Sequence, residues 1–108
     1  MKKLRLYLDD ERPLPSGFDL LVRTVEEAIE LIKQGNVEFI SLDSDLGIGY
    51  TEGFKVADWI EEAYITGEIK FVDFHPHTGN SSSFDRIMQA KRNVYKHKNK
   101  IKQYEQNN

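Results

Sequence analysis

The chain has no cysteine, only three prolines and a single tryptophan in 108 residues, and no apolar run near the length of a membrane span. Without cysteine there is no disulfide, no thiolate metal site and no cysteine nucleophile, a usage that fits a reducing cytoplasm. A spanning helix needs roughly 20 consecutive apolar residues, so none is expected. Met1-Lys2-Lys3 leads straight into a strand pattern rather than a secretory signal core, so the chain reads as soluble and unsecreted. Internal repeats and low-complexity stretches are also missing, and the length supports one hydrophobic core but not two. What remains is a globular composition: 39% hydrophobic residues, with six phenylalanines and five tyrosines, is too apolar for a disordered chain.

The net charge is −3, but it is unevenly spread. Residues 1–90 hold 9 of the 15 basic and 17 of the 18 acidic residues, a balance of −8. Residues 91–108 carry +5, from Lys91, Arg92, Lys96, Lys98, Lys100 and Lys102 against Glu105. This divides the chain into an acidic α/β domain, 1–90, and a basic helix end and tail of the same domain, 91–108. A basic tail attracts phosphate-rich partners. The linear sequence shows no aromatic interleaving of the kind a base-stacking platform uses, so a solvated helix end is the reading these residues favour.

Apolar periodicity switches along the chain between two and 3.6 residues. Leu4, Leu6 and Leu8 alternate with polar or aromatic neighbours, which predicts a strand over about 3–8. Two prolines and a glycine make 11–18 a loop, and a short strand follows over Asp19–Arg23. Thr24 with Glu27 forms a capping-box pattern before Val25, Ala28, Ile29 and Ile32, and Gly35 stops that helix. Val37–Leu42 is nearly continuous in β-favouring residues, as a buried parallel strand should be. Gly47 and Gly49 predict a loop, Phe54, Ala57, Ile60, Ala63 and Tyr64 a helix ending near Gly67, and Ile69–Phe74 a fourth strand. Ser81-Ser82-Ser83 then caps a last helix with Phe84, Ile87, Met88 and Tyr95 on its inner face. Alternating elements of this kind predict a mostly parallel sheet with helices on both faces, in strand order 2-1-3-4.

Two of these strands end in acids: Leu8 runs into Asp9-Asp10, and Leu42 into Asp43-Ser44-Asp45. In that strand order both clusters meet at the switch point, where open α/β sheets bind ligands. Close carboxylates repel one another and raise their pKa values unless a cation neutralises them. Hard oxygen donors suit Mg²⁺, Mn²⁺ or Ca²⁺, which makes Asp9, Asp10 and Asp43 candidate metal ligands; turn formation or helix capping is the plainer role for such aspartates. Asp45 lies on the same loop and serves equally as a cap.

The fourth strand ends in His75-Pro76-His77-Thr78-Gly79-Asn80. If strand geometry persists, both imidazoles point the same way. They are candidates for general acid–base work on a phosphodiester or for ligation that extends the metal choice to Zn²⁺. Thr78, Asn80 and the guanidinium of Arg12 are candidate phosphate contacts; an ordinary turn and a surface ion pair are the simpler alternatives.

Asp9-Asp10 and Asp43 resemble the acidic pocket of response-regulator receiver domains, in which the pair binds Mg²⁺ and the third aspartate accepts a phosphoryl group. The fuller pattern is more similar to the cyclic-phosphate-processing receiver domains. Leu8-Asp9-Asp10-Glu11-Arg12-Pro13, Ser41-Leu42-Asp43-Ser44-Asp45-Leu46-Gly47 and His75-Pro76-His77-Thr78-Gly79-Asn80 resemble that group's LDDxRxP, SLDxDLG and HxHSxN stretches, over most of residues 4–90. The resemblance implies a three-layer α/β/α, receiver-like (flavodoxin-like) fold with a reduced sheet. Two features depart from a signalling receiver: no lysine stands at a strand end after Phe74, and no fifth strand is apparent.

The carboxylate cluster and the histidine stretch lead to a metal-dependent phosphoesterase-like domain, and the resemblance implies that it binds or hydrolyses a cyclic phosphate on a nucleotide or RNA end. Asp43, His75 and His77 are its expected catalytic residues, Arg12, Thr78 and Asn80 its substrate contacts, and Mg²⁺ or Mn²⁺ its expected cofactor. A non-catalytic cyclic-nucleotide-sequestering module and a phospho-switch at Asp43 are the alternatives. The expected partner is a phosphate-containing small molecule or an RNA end, with no membrane. A homodimer through an exposed sheet edge or the last helix is also consistent with the pattern.

Overall fold

The computed structural model describes residues 2–45 and 53–107, so the predicted loop glycines Gly47 and Gly49 lie outside the described residues. The elements are β1 (Leu4–Leu8), β2 (Leu20–Val22), α1 (Val25–Lys33), β3 (Val37–Leu42), α2 (Phe54–Ile65), β4 (Asp73–Pro76) and α3 (Ser81–Asn107). All strand pairs are parallel and the order is β2-β1-β3-β4, as the sequence predicts.

Alternation along the strands sorts the sheet into two faces. Leu6, Leu8, Ile40, Leu42 and Phe74 enter one buried cluster with Ala28 and Ile32 of α1, Val56 and Ile60 of α2, and Ile87, Ala90 and Val94 of α3. The other set is Tyr7, Ser41 and His75, which lie in one row across β1, β3 and β4. On that side the loop between β1 and β2 supplies Phe18, which meets Tyr7 edge-on at 5.1 Å and Phe39 at 6.1 Å. The helix α3 reaches both sides of β4, because Ile87, Ala90 and Val94 join the core with Phe74 while Phe84 and Lys91 contact His75 and Asp73 on the other face.

Local chemistry explains most element ends. The Thr24 hydroxyl accepts from the Glu27 N–H at 3.1 Å and starts α1. Gly35, at φ 84°, takes the left-handed conformation that ends it.

Three expectations need correction. β4 begins at Asp73 rather than Ile69: Asp73 pairs with Phe39, so residues 69 and 70 fall beyond the first residue of β3 and have no strand to pair with. The cap of α3 is Asn80 rather than the serines, since its carbonyl receives the Phe84 N–H and its side-chain oxygen the Ser83 N–H, both at 2.9 Å. The inner face of α3 is Ile87, Ala90 and Val94, whereas Phe84 is exposed and Met88 and Tyr95 are half-buried. The predicted fifth-strand gap is filled by α3, which lies along the β4 edge. Among the described residues no helix is long and apolar enough to cross a membrane.

Candidate functional site

Leu8, Leu42 and Pro76 stand level in three adjacent strands, so the next residues, Asp9, Asp43 and His77, stand level too. Each is pinned by one backbone bond that continues the ladder: Asp9 N–H to Val22, Asp43 N–H to Leu8 and His77 N–H to Leu42. Continued alternation turns all three side chains toward the Tyr7–Ser41 side. One ligand atom from each of Asp9, Asp43 and His77 lies within 4.8 Å of the others.

The His77 ring is fixed from three directions. It stacks on Tyr7 at 4.2 Å with the planes 8° apart. Its Nδ1 lies 2.6 Å from the Ser41 hydroxyl and its Nε2 3.1 Å from Asp9 Oδ2. A serine hydroxyl donates or accepts, so it matches either tautomer of the ring; Asp9 accepts only and favours a proton on Nε2. The other Asp9 oxygen accepts from the backbone N–H groups of Glu11 and Arg12, both at 2.9 Å. Burial pushes the Asp9 carboxyl up, but those two N–H groups and His77 together outweigh it and hold the group below the usual carboxylate range.

Asp43 is shifted the opposite way. Burial is the largest cause, and the charges of Asp9 and Asp10 add to it, so the carboxyl is held above its ordinary value despite the Asp45 N–H and His77. Two carboxylates on one level therefore differ: the surroundings favour the charged form of Asp9 and disfavour that of Asp43. Glycine at position 53 is required here, because a Cβ would sit 2.0 Å from the Asp43 carbonyl oxygen. That close approach lets α2 begin against the end of β3, where the Ser44 hydroxyl accepts the Phe54 N–H at 3.2 Å.

The remaining candidates surround this centre at different distances. Asp10 is half-buried and raises Asp43 electrostatically, but among the described residues it is outside the three-residue group. Arg12 stands at the rim with its side chain 67% exposed and its Nε 4.0 Å from Asp9. Its positive charge is favoured first by the Tyr7 hydroxyl and then by Asp9. Thr78 donates to Asp45 at 2.9 Å and its hydroxyl accepts from the Asn80 N–H, while Asn80 caps α3. His75 is apart from the group: it is exposed, its Nδ1 accepts from Lys91 Nζ at 3.2 Å, and its ring meets Phe84. Burial and the neighbouring Lys91 both lower its pKa.

Sequence reasoning missed Tyr7, Ser41 and Arg23. Arg23 donates to the carbonyls of Asp9 and Arg12 at 3.0 and 3.3 Å and staples the turn after β1. Strand parity was the available signal for the first two, since each lies two residues before an aspartate of the cluster and so shares its face.

No curated protein matches the chain significantly. The family model for the cyclic-phosphate processing receiver domain matches residues 4–93, a span holding all four strands and every residue of the cluster. With a parallel receiver-like sheet, acids after β1 and β3, and an imidazole after β4 at the same level, the chain belongs to the cyclic-phosphate processing receiver domain family.

Proposed function

We propose that the pocket at the ends of β1, β3 and β4 binds a cyclic phosphate on a nucleotide or RNA end and hydrolyses it with a divalent cation. The observation that carries this reading is the His77 ring, held between Ser41 and Asp9 with Asp43 in the same 4.8 Å group. A ring fixed by a carboxylate on one nitrogen and a hydroxyl on the other would exchange a proton with a reacting phosphodiester by giving up one of those contacts or through the Ser41 hydroxyl, which both donates and accepts. Asp9 holds the Nε2 side of the ring, and the Tyr7 face fixes the ring plane.

The donor set fits a cation. Asp43 and Asp9, with Asp10 beside them, are hard oxygen donors suited to Mg²⁺ or Mn²⁺, and the imidazole extends the choice to Zn²⁺. Positive charge there would offset the burial and repulsion that raise Asp43. Asp9 and Asp43 would hold such a cation, whose chemistry there would be to polarise a phosphoryl oxygen and lower the pKa of a bound water. Arg12, exposed at the rim, supplies a forked donor for a phosphate oxygen. As substrate contacts, Thr78 and Asn80 would first have to release Asp45 and the cap of α3. His75 serves the reaction less directly than His77, since it is outside the group of Asp9, Asp43 and His77 among the described residues.

The test is turnover of 2′,3′- and 3′,5′-cyclic nucleotides with Mg²⁺, Mn²⁺ or Zn²⁺, read as phosphomonoester by ³¹P NMR. Cation-dependent product that disappears in His77→Ala supports the proposal. Tight calorimetric binding with the ligand recovered unchanged would convert it to a sequestering module, and neither turnover nor binding across the panel would end it.

A further inference from the structure

The basic residues of α3 are interleaved with aromatics in space, although not along the sequence. Lys91, Tyr95, Lys98 and Lys102 follow one another at helical spacing i, i+4, i+7 and i+11, and so form one strip of the helix surface. Phe84, seven residues before Lys91, begins the same strip. Alternate residues leading into and along β4 face it as a ladder: Phe84 meets His75, Lys91 lies 3.6 Å from Asp73, and the Lys98 ammonium stands 3.8 Å over the Phe71 ring. Tyr95 fills the middle, edge-on to Phe71 at 5.5 Å and within 5.8 Å of both Lys91 and Lys98. Beyond it, Tyr64, Tyr95, Lys98 and Lys102 line a shallow groove between α2 and the end of α3. Acids on this path include Asp73, which engages both Lys91 and the Tyr95 hydroxyl, and Glu105 at its far end.

The strip starts beside the candidate pocket. His75 pairs in register with Ser41, whose hydroxyl holds the His77 ring, so the first rung is one strand, about 4.8 Å, from the pocket's row. It then runs back along the β4 edge for much of a helix about 40 Å long. The upper rungs fall within the family match and the lower ones, Tyr95, Lys98 and Lys102, beyond residue 93.

We propose that this lysine–aromatic strip is a docking track for a single-stranded phosphodiester chain, so that the substrate is an oligonucleotide end rather than a free cyclic mononucleotide. The inference rests on the cyclic-phosphate reading of the pocket for the location of the chain's end. Its own support is charge complementarity and ring chemistry: ammonium groups spaced along a helix meet successive phosphates, and as they do so they uncover the Phe71 and Tyr95 faces they now overlie, where bases would stack. The residues that the upper rungs face, His75 and Asp73, are on the side of the sheet that carries Ser41, so a strand of nucleic acid passes from those rungs to the pocket without crossing the sheet.

The experiment is fluorescence anisotropy on the full chain with a labelled ten-nucleotide single-stranded RNA, in 2′,3′-cyclic-phosphate and 3′-hydroxyl forms, across a salt series. Calorimetry with a 2′,3′-cyclic mononucleotide runs alongside it. Both RNA forms should bind more tightly than the mononucleotide, and the Lys98→Gln/Lys102→Gln variant should weaken RNA binding about tenfold. Its salt slope should fall by about 1.4, or about 0.7 for each phosphate contact removed. Lys102→Gln alone leaves the Phe71 contact intact and should give about half that slope change, while mononucleotide binding stays unchanged throughout. RNA affinity no greater than that of the mononucleotide, or wild-type RNA affinity in the double variant, would overturn the track. Equal affinity for a poly-glutamate peptide would also overturn it, by showing an acidic protein to be the better occupant. Loss of preference for the cyclic end with retained 3′-hydroxyl RNA binding supports the track and counts only against the pocket's reading.

Discussion

His75 and His77 are two residues apart on one strand end, yet they occupy different chemical regions. His77 lies inward, 16% exposed, stacked on Tyr7 and bonded to Ser41 and Asp9. His75 lies outward at the β4–α3 edge, beside Lys91 and Phe84. The inner ring has a carboxylate beside it, whereas the outer ring is partly covered and has an ammonium beside it, both of which lower its pKa. Identical side chains thus enter different surroundings, one within the acidic group and one as a surface acceptor for Lys91, and the difference comes from which elements pack beside each.

That contrast can be broken most strongly through catalysis. His77→Ala should reduce cyclic-phosphate hydrolysis by about 10²–10⁴-fold, the range of a general acid–base group. His75→Ala should change it by less than about threefold, and comparable losses in both variants would erase the distinction. Next in size is Asp9→Ala, which leaves the Glu11 and Arg12 N–H groups without their buried acceptor. It should cost about 1–3 kcal/mol in urea unfolding at neutral pH. In the wild type this contribution is present above about pH 4 and fades as pH falls through the lowered Asp9 value, because the carboxyl then protonates.

Asp43→Asn should do the reverse and raise the stability of the cation-free protein at neutral pH. The raised Asp43 value means the folded state favours the protonated acid, so the wild type loses stability as pH rises from about 4 through the folded value. A pH series of unfolding should show the variant's advantage shrinking toward acid, and addition of Mg²⁺ or Mn²⁺ should stabilise the wild type but not the variant. The smallest effect is a local one. Lys91→Gln should move the NMR titration of His75 up toward 6.5 while leaving the activity of the inner site on a cyclic mononucleotide unchanged.

Much of the pocket was legible because it sits where strands end. Apolar runs stopping at Asp9 and Asp43 mark the positions at which ladder bonds give way to side-chain chemistry, and the strand order followed from short right-handed crossovers. β3 was read to its exact residues because a strand buried on both edges and one face needs a nearly unbroken β-favouring run. β4 was placed four residues early because Ile69 and Phe71 are apolar for a different reason: Phe71 packs against Tyr64 and Tyr95 rather than joining a ladder. The aromatic interleaving of the basic segment was invisible for a similar reason, since it takes one ring from outside the helix and a period of 3.6 to assemble.

By itself, then, the sequence determined the parallel sheet, its order, the caps at Thr24 and Gly35 and the acidic strand ends, because each is set by neighbours within a few residues or by the alternation of a single strand. Only the tertiary structure decided which histidine joins those acids. The contacts that hold His77 come from Ser41, 36 residues away, and Asp9, 68 residues away, and the contact that diverts His75 comes from a helix whose side was set by packing of Ile87, Ala90 and Val94 into the core. Proximity across such separations is a property of the folded sheet, and no local pattern encodes it.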